Sequence, residues 1–360
     1  MDRETNMQLE MISGLVEENR VVFSAWNVNG LFSLDLRSGD VEFLTLLPWF
    51  QGKYGYGYIL RDDNRVFLSP CNGKSILELN RENWSLVKEY PLDDSKLGAG
   101  WARCGNIIKA NGKLYLIPYH AHVITELDLE THRLEYFGDC YDGVKDVSRV
   151  RPGPLFSGGV LAEDKIWFIC IQANIIICFD VNTKKTTLYE VKEITDTFVD
   201  ICYDGSCFWI SCKSGKIFKW KESEGVIFEI DKICNQGKTD CALSYYDNKV
   251  WYVTHDLNRV VSIDVADCCL NNERFEFENR NNCEGNVMFI GSGILYRSGH
   301  LYVLEQSTHE VNDYIIDLCG NTLGGYIYKL MKLHVANDSI IREESISLEL
   351  MIMGLNEVER

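Results

Sequence analysis

Two histidines stand two residues apart in LIPYHAHVITELDLETH (116–132), with the carboxylates of Glu126 and Asp128 close behind. Alternate residues of a strand face the same way, so His120 and His122 could offer two imidazoles to zinc or another divalent ion if a third ligand arrives from elsewhere. His255, in KVWYVTHDLNRVV, is a third candidate of the same kind. Such a set would support a metal-assisted lyase or hydrolase, with an imidazole as ligand or general base and Arg103 or Arg151 stabilising an anionic intermediate. Binding chemistry has its own candidates. Tyr54, Tyr56, Trp101, Arg103, Arg149 and Arg151 are aromatic or basic, and Asp196, Asp200, Lys238, Asp240, Glu284 and Asn286 are mostly acidic or polar. All sit in turn-rich, often Gly-containing stretches. Brought together, they would orient a polar small molecule, a sugar or a peptide terminus, with arginine presenting its planar fork to carboxylate or phosphate. The chain has no G-x-S-x-G elbow, no Gly-rich phosphate loop, no H-E-x-x-H and no C-x-x-C.

What must position these residues is a repeat. KLYLIPYHAHVITELDLET (113–131) has relatives in RVVFSAWNVNGLFSLDLRSG (20–39), RVFLSPCNGKSILELNREN (65–83), KIWFICIQANIIICFDVNT (165–183), CFWISCKSGKIFKWKESEG (207–225), KVWYVTHDLNRVVSIDVAD (249–267) and a degraded HLYVLEQSTHEVNDYIIDLCG (300–320). Each copy opens on an aromatic (Phe23, Phe67, Tyr115, Trp167, Phe208, Trp251, Tyr302), and these aromatics lie 44, 48, 52, 41, 43 and 51 residues apart. A mostly acidic landmark follows (Asp35, Asn80, Asp128, Asp180, Lys221, Asp264, Asp317), 12 or 13 residues later except for 15 in the last copy. A tight motif between variable connections is two antiparallel strands and a turn, joined to the next copy by surface loops. The landmark acid then accepts hydrogen bonds from backbone N–H groups of the turn that follows it, a structural duty.

Each copy is flanked by two more apolar stretches. YGYGYIL (54–60), GNIIKA (105–110), FSGGVLA (156–162), FVDICY (198–203), ALSYY (242–246) and NVMFIG (286–291) lie upstream, and VEFLTLL, LVKEYPL, RLEYF, TTLYEV and VIFEI lie downstream. Four strands per repeat without helical periodicity predict an all-β chain, a seven-bladed β-propeller of four-stranded antiparallel blades. NKVWYVTHDLNRVVSIDV and DKIWFICIQANIIICFDVNT resemble the YVTN-type and kelch-like propeller repeats of bacterial proteins, and the resemblance implies the propeller fold.

The propeller is expected over 1–337, with blades at about 7–48, 54–93, 101–140, 155–191, 198–233, 240–278 and 286–335, and a tail or closing strand at 338–360. In this arrangement 7–19 supplies the innermost strand of the first blade and 324–335 the outermost strand of the last. Innermost strands enter from the preceding blade on the face where the second strand turns into the third, so all the binding candidates are expected around one opening. His120 and His122 fall in such a turn of blade 3, where other blades carry Asn27, Cys71, Gln172 and Lys213. Those residues share no metal-ligand chemistry, which favours ordinary turn residues over a metal pair.

Composition narrows the partners. A net charge of −17 disfavours nucleic acid and anionic membrane surfaces, which need clustered lysine and arginine. The fourteen cysteines fall mostly in apolar runs, where a reduced thiol acts as a small hydrophobe, and no uninterrupted apolar run reaches the roughly 20 residues that cross a bilayer. The expectation is a cytoplasmic protein without a cofactor, a divalent metal being the alternative. Two functions stay open: a non-enzymatic binding platform for a small polar ligand, peptide or partner protein at the channel face, and the metal-assisted enzyme.

Overall fold

A computed structural model describes residues 7–25, 27–48, 55–98, 103–144, 156–231, 242–253, 260–273, 288–291, 293–297, 299–305, 308 and 310–318. These residues form seven four-stranded antiparallel sheets, each with its strands side by side in chain order. Blade 1 runs from strand Met11–Glu17 to Val41–Leu46, blade 2 from Tyr56–Asp62 to Leu86–Pro91, blade 3 from Cys104–Ala110 to Leu134–Phe137, and blade 4 from Phe156–Ala162 to Thr186–Glu190. Blade 5 runs from Phe198–Tyr203 to Gly225–Ile230, blade 6 from Ala242–Tyr246 to Leu270–Glu273, and blade 7 from Met288–Gly291 to Glu310–Ile315. First strands touch first strands around the whole circuit, including Met288–Gly291 against Met11–Glu17, so the ring is closed. The chain is a seven-bladed β-propeller.

The hydrophobic pattern explains the radial packing. Second and third strands are apolar almost throughout, as in KIWFIC (165–170) and IIICFD (175–180), because a blade's middle strands are covered on both faces. Fourth strands alternate or turn polar, as in LVKEYP (86–91), because their outer edge meets water. Seven core clusters result, one at each joint between neighbouring blades, from Val22 with Leu68 between blades 1 and 2 to Phe23 with Tyr296 between blades 1 and 7. Eight of the ten described cysteines, all reduced, are buried in or beside these joints. Burial pushes the thiols of Cys71, Cys140 and Cys178 up to about 12.

The landmark acids do what the turn chemistry asks. Asp35 Oδ1 accepts from Arg37 N (2.7 Å) and Ser38 N (3.0 Å), and Asp128 and Asp180 accept in the same way from the residues two and three positions on. Asn80 and Asp264 repeat the bond.

The last blade departs from the expected register. The six earlier landmark aromatics lie in second strands, but Tyr302 lies in the third, His300–Glu305. The second strand is the four-residue Ile294–Arg297, too short to stand out in the sequence. Glu310–Ile315 therefore takes the outermost position that 324–335 was expected to fill, and 319–360, including the 338–360 tail, lies outside the described residues. Closure explains the shift. Immediately after the fourth strand the chain turns inward, Ile316 and Leu318 enter the core with Leu9 and Met11, and Asp317–Leu318 pairs antiparallel with Met7–Gln8. Among the described residues no helix is long and apolar enough to cross a membrane.

Candidate functional site

Among the described residues, backbone hydrogen bonds tie entering connections to second turns in three blades. In blade 2, Cys71 N (3.1 Å) and Gly73 N (2.9 Å) of the second turn both donate to Gly55 O of the entering connection. In blade 3, Tyr119 N and Ala121 N donate to Arg103 O (2.8 and 3.1 Å), while Arg103 N donates to Cys71 O of blade 2 (2.8 Å). In blade 5, Lys213 N donates to Thr197 O (2.8 Å) and Ser214 N to Asp196 Oδ2 (2.9 Å). In blade 1, Asn27 holds Glu10 N and Gln8 O with its two side-chain ends.

Three of the residues singled out for binding therefore have structural partners. Tyr56 is only 4% exposed, packed in the core between blades 1 and 2 and not at the rim, and its hydroxyl is hydrogen-bonded to Ser75. Arg103 pairs with Asp94 of the short helix Asp94–Leu97. Asp196 accepts from Thr197 N and Ser214 N, joining a connection to its own blade's turn. Tyr54, Trp101, Arg149, Arg151, Lys238, Asp240, Glu284 and Asn286 lie outside the described residues, as does His255.

The histidine set comes apart. His122 stacks on Tyr141 with ring centroids 3.7 Å apart, and its backbone N donates to Leu97 O. Burial pushes its imidazole below the ordinary value, with Asp142 acting weakly the other way. His120 meets Tyr119 edge to face. Glu126 lies far down the third strand, 1% exposed, held by Lys113 of its own blade and Lys184 of blade 4. Asp128 caps its turn at that same far end, so neither carboxylate serves the histidines. Among the described residues, no three metal-ligating side chains converge.

A different group of residues gathers at the hub. Six of the seven first strands carry a register break, and in blades 1, 3 and 5 it follows the first pair of the strand and reads apolar-x-polar: Met11-x-Ser13, Cys104-x-Asn106, Phe198-x-Asp200. A bulge re-aims side chains, and here it turns polar ones toward the neighbouring inner strand. Asn106 Oδ1 accepts from Ile107 N (2.8 Å) while its Nδ2 donates to Gly159 O of blade 4 (3.1 Å). Asp200 Oδ1 accepts from Ile201 N (2.9 Å) while Oδ2 accepts from Leu243 N of blade 6 (3.0 Å). Burial raises the Asp200 carboxyl to about 6, against the pull of these two N–H donors. Tyr58 of blade 2 is within electrostatic reach: burial first, then the nearby Cys71, Asp200 and Tyr119, pushes its phenol up. Residues from blades 2, 3 and 5 thus share one polar hub. Sequence reasoning named Asp200 and passed over Tyr58, Asn106 and Tyr119; for Asn106 the available signal was a polar residue two places after an apolar one in an inner strand, as in Cys104-x-Asn106.

No protein family and no curated protein matches the chain. Several solved structures are similar in fold. One is a streptogramin B lyase, with a TM-score of 0.60 at 16% identity over 82% of this chain and 93% of that one. Another is a catalytically inactive virginiamycin B lyase from Staphylococcus aureus with quinupristin, at 0.61 and 13% over 88% and 96%. YCF48 bound to D1 peptide gives 0.57 and 12% over 88% and 96%.

Proposed function

We propose that the chain is a non-enzymatic binding platform, holding a small polar ligand or a peptide on the face where the entering connections and second turns meet. The observation that carries this reading is the hub, where Asp200 of blade 5 and Tyr119 of blade 3 both come within electrostatic reach of Tyr58 of blade 2. A half-buried carboxyl raised to about 6 beside phenols can hold a proton and donate or accept a hydrogen bond near neutral pH. The architecture is compatible with such use, since YCF48 binds the D1 peptide and virginiamycin B lyase takes quinupristin on a similar fold. The reading carries with it the YVTN-type and kelch-like kinship of the repeats and a reducing cytoplasmic setting for the thiols. Native mass spectrometry of protein exposed to a small-metabolite and peptide extract tests it. A bound mass is expected on the unaltered chain and should be lost in Tyr58→Phe and Asp200→Asn. A mass that survives both substitutions, or none on the unaltered chain, overturns the hub as its seat.

A further inference from the structure

The opposite face, where first strands turn into second and third into fourth, carries ion pairs across the blade joints, and they follow the repeat. Asp62 ends the first strand of blade 2, pairs with Arg65 across its own hairpin (2.5 Å), and takes Lys109 from the first strand of blade 3. Glu17 ends the first strand of blade 1 in the same register, opposite Arg20. The residue matching Lys109 is Arg61, which should reach Glu17 directly. It stands off at 3.7 Å and is 44% exposed.

Arg81 is the reason. The position after the turn acid holds Leu36, Leu129, Val181 and Val265 in blades 1, 3, 4 and 6, each donating its backbone N–H to the first turn of its own blade. Arg81 makes the same backbone bond, to Asn64 O (3.0 Å), yet carries a guanidinium where those four blades carry an aliphatic chain. Its Nε takes Glu17 Oε1 (2.7 Å), while Arg20 Nε takes Oε2 (2.8 Å). Both oxygens of a carboxylate only 6% exposed are then hydrogen-bonded, and Arg61 keeps only its longer 3.7 Å ion pair with Oε1. Burial alone would raise the Glu17 carboxyl, but the hydrogen bonds from Arg81 and Arg20 hold it below the usual range, so it stays ionised and committed.

The surplus cation faces a cleft of about 470 Å³ between blades 1 and 2, within the size range of small-molecule sites. Its walls differ in sign. Blade 2 contributes Arg61 and Arg81, whereas blade 1 contributes Glu18 and Asp35, with Arg20 already spent on Glu17 and stacked 5.5 Å over Trp84. A simple anion would meet the acidic wall, and a simple cation the arginines. A molecule bearing both charges satisfies each wall. Arginine's planar fork suits a carboxylate held by two parallel bonds, and the unused donors of Arg61 and Arg81 supply it.

We propose that this cleft is a second binding site, for a zwitterion of the amino-acid or short-peptide class, with its carboxylate on Arg61 and Arg81 and its ammonium toward Glu18 and Asp35. Blade 5 also departs from the aliphatic pattern here, but its Glu222 is engaged by Lys165 and Tyr189 of blade 4, whereas Arg81 departs beside a cleft that it lines. The site lies on the face away from the hub, so substitutions in one leave the other intact.

Saturation-transfer NMR on the full chain tests it, using an equimolar pool of random tripeptides with free termini, the same pool N-acetylated, and the same pool C-amidated. The free pool is expected to receive saturation, with at least tenfold weaker signals from both capped pools. Arg81→Leu, which installs the residue that blades 1 and 3 carry there and so should fold, is expected to abolish the signal, as is the exposed change Arg61→Ala. No transfer to the free pool overturns the site, and so does undiminished transfer to either variant. Equal transfer to the N-acetylated pool overturns the zwitterion and leaves only an anion seat.

Discussion

Asp200 illustrates how one side chain can join two blades and titrate. Its carboxyl, raised to about 6 chiefly by burial, is harder to ionise in the folded chain than in the unfolded one, where it titrates near the ordinary 3.8. The folded state is therefore favoured while Asp200 is protonated, and that advantage is lost as pH rises from about 4 through about 6. Glu17, Asp62, Glu126 and Asp204 have lowered values and act in the reverse sense, stabilising above their unfolded pKa and withdrawing that support as the medium becomes acidic. Asp200→Asn isolates the first effect. Urea midpoints taken from pH 4 to 8 should show the variant gaining on the parent up to about pH 6 and running parallel above it. A constant difference across the range would mean that the carboxyl is not raised. At this scale the sequence was legible where a residue serves its own turn, as Asp35 and Asp128 do, because the partners lie two and three positions away. It was opaque for Tyr56 and Arg81. Their roles depend on packing between blades and on which guanidinium reaches a carboxylate of another blade first, neither of which local spacing encodes.

The inner strand is the element on which the fold turns, since it must pack close to two neighbours while its bulge points a polar side chain sideways. Blade 4 meets this demand with Gly158 and Gly159. Gly158 has φ +70°, and a Cβ there would lie 2.6 Å from Ile201 Cγ2 of blade 5, so any side chain must displace that isoleucine. Gly112, in a first turn, has φ +73° but open space around it. Comparing alanine at the two positions separates the cost of crowding from the cost of backbone conformation. Gly112→Ala is expected to cost about 1 kcal/mol for the left-handed backbone alone. Gly158→Ala should cost roughly 2–3 kcal/mol by adding an overpacked contact. Equal losses in chemical denaturation would show that the inner strands yield readily. Elements with two buried faces, such as FWISC in blade 5, were readable from composition, as were most of the outer strands. The short Ile294–Arg297 was missed because four residues carry too little periodicity, and the stronger hairpin beside it took its place in the alignment.

At the scale of the molecule, each blade has no core of its own and borrows one from each neighbour, so a weak joint is felt first by the two blades that share it. The closing joint is distinctive because Leu9 and Leu318, from opposite ends of the described chain, share one cluster. Leu9→Ala is expected to cost about 3 kcal/mol, and hydrogen exchange should quicken first in blades 1 and 7 while blade 4 stays protected. Uniform acceleration would mean that the ring opens as a unit instead. The circular plan was legible from the repeat count, whereas the joint at which it closes was not, since a two-residue pairing between distant segments leaves no mark on spacing. The sunken thiols have a further use. Spread through blades 2 to 5, Cys71, Cys104, Cys170, Cys178, Cys202 and Cys212 are out of reach of any alkylating reagent until the adjoining sheets part. Labelling rates at each sulfur would then report how often the seams beside blades 2 to 5 breathe, turning the chain's own chemistry into a set of separate clocks.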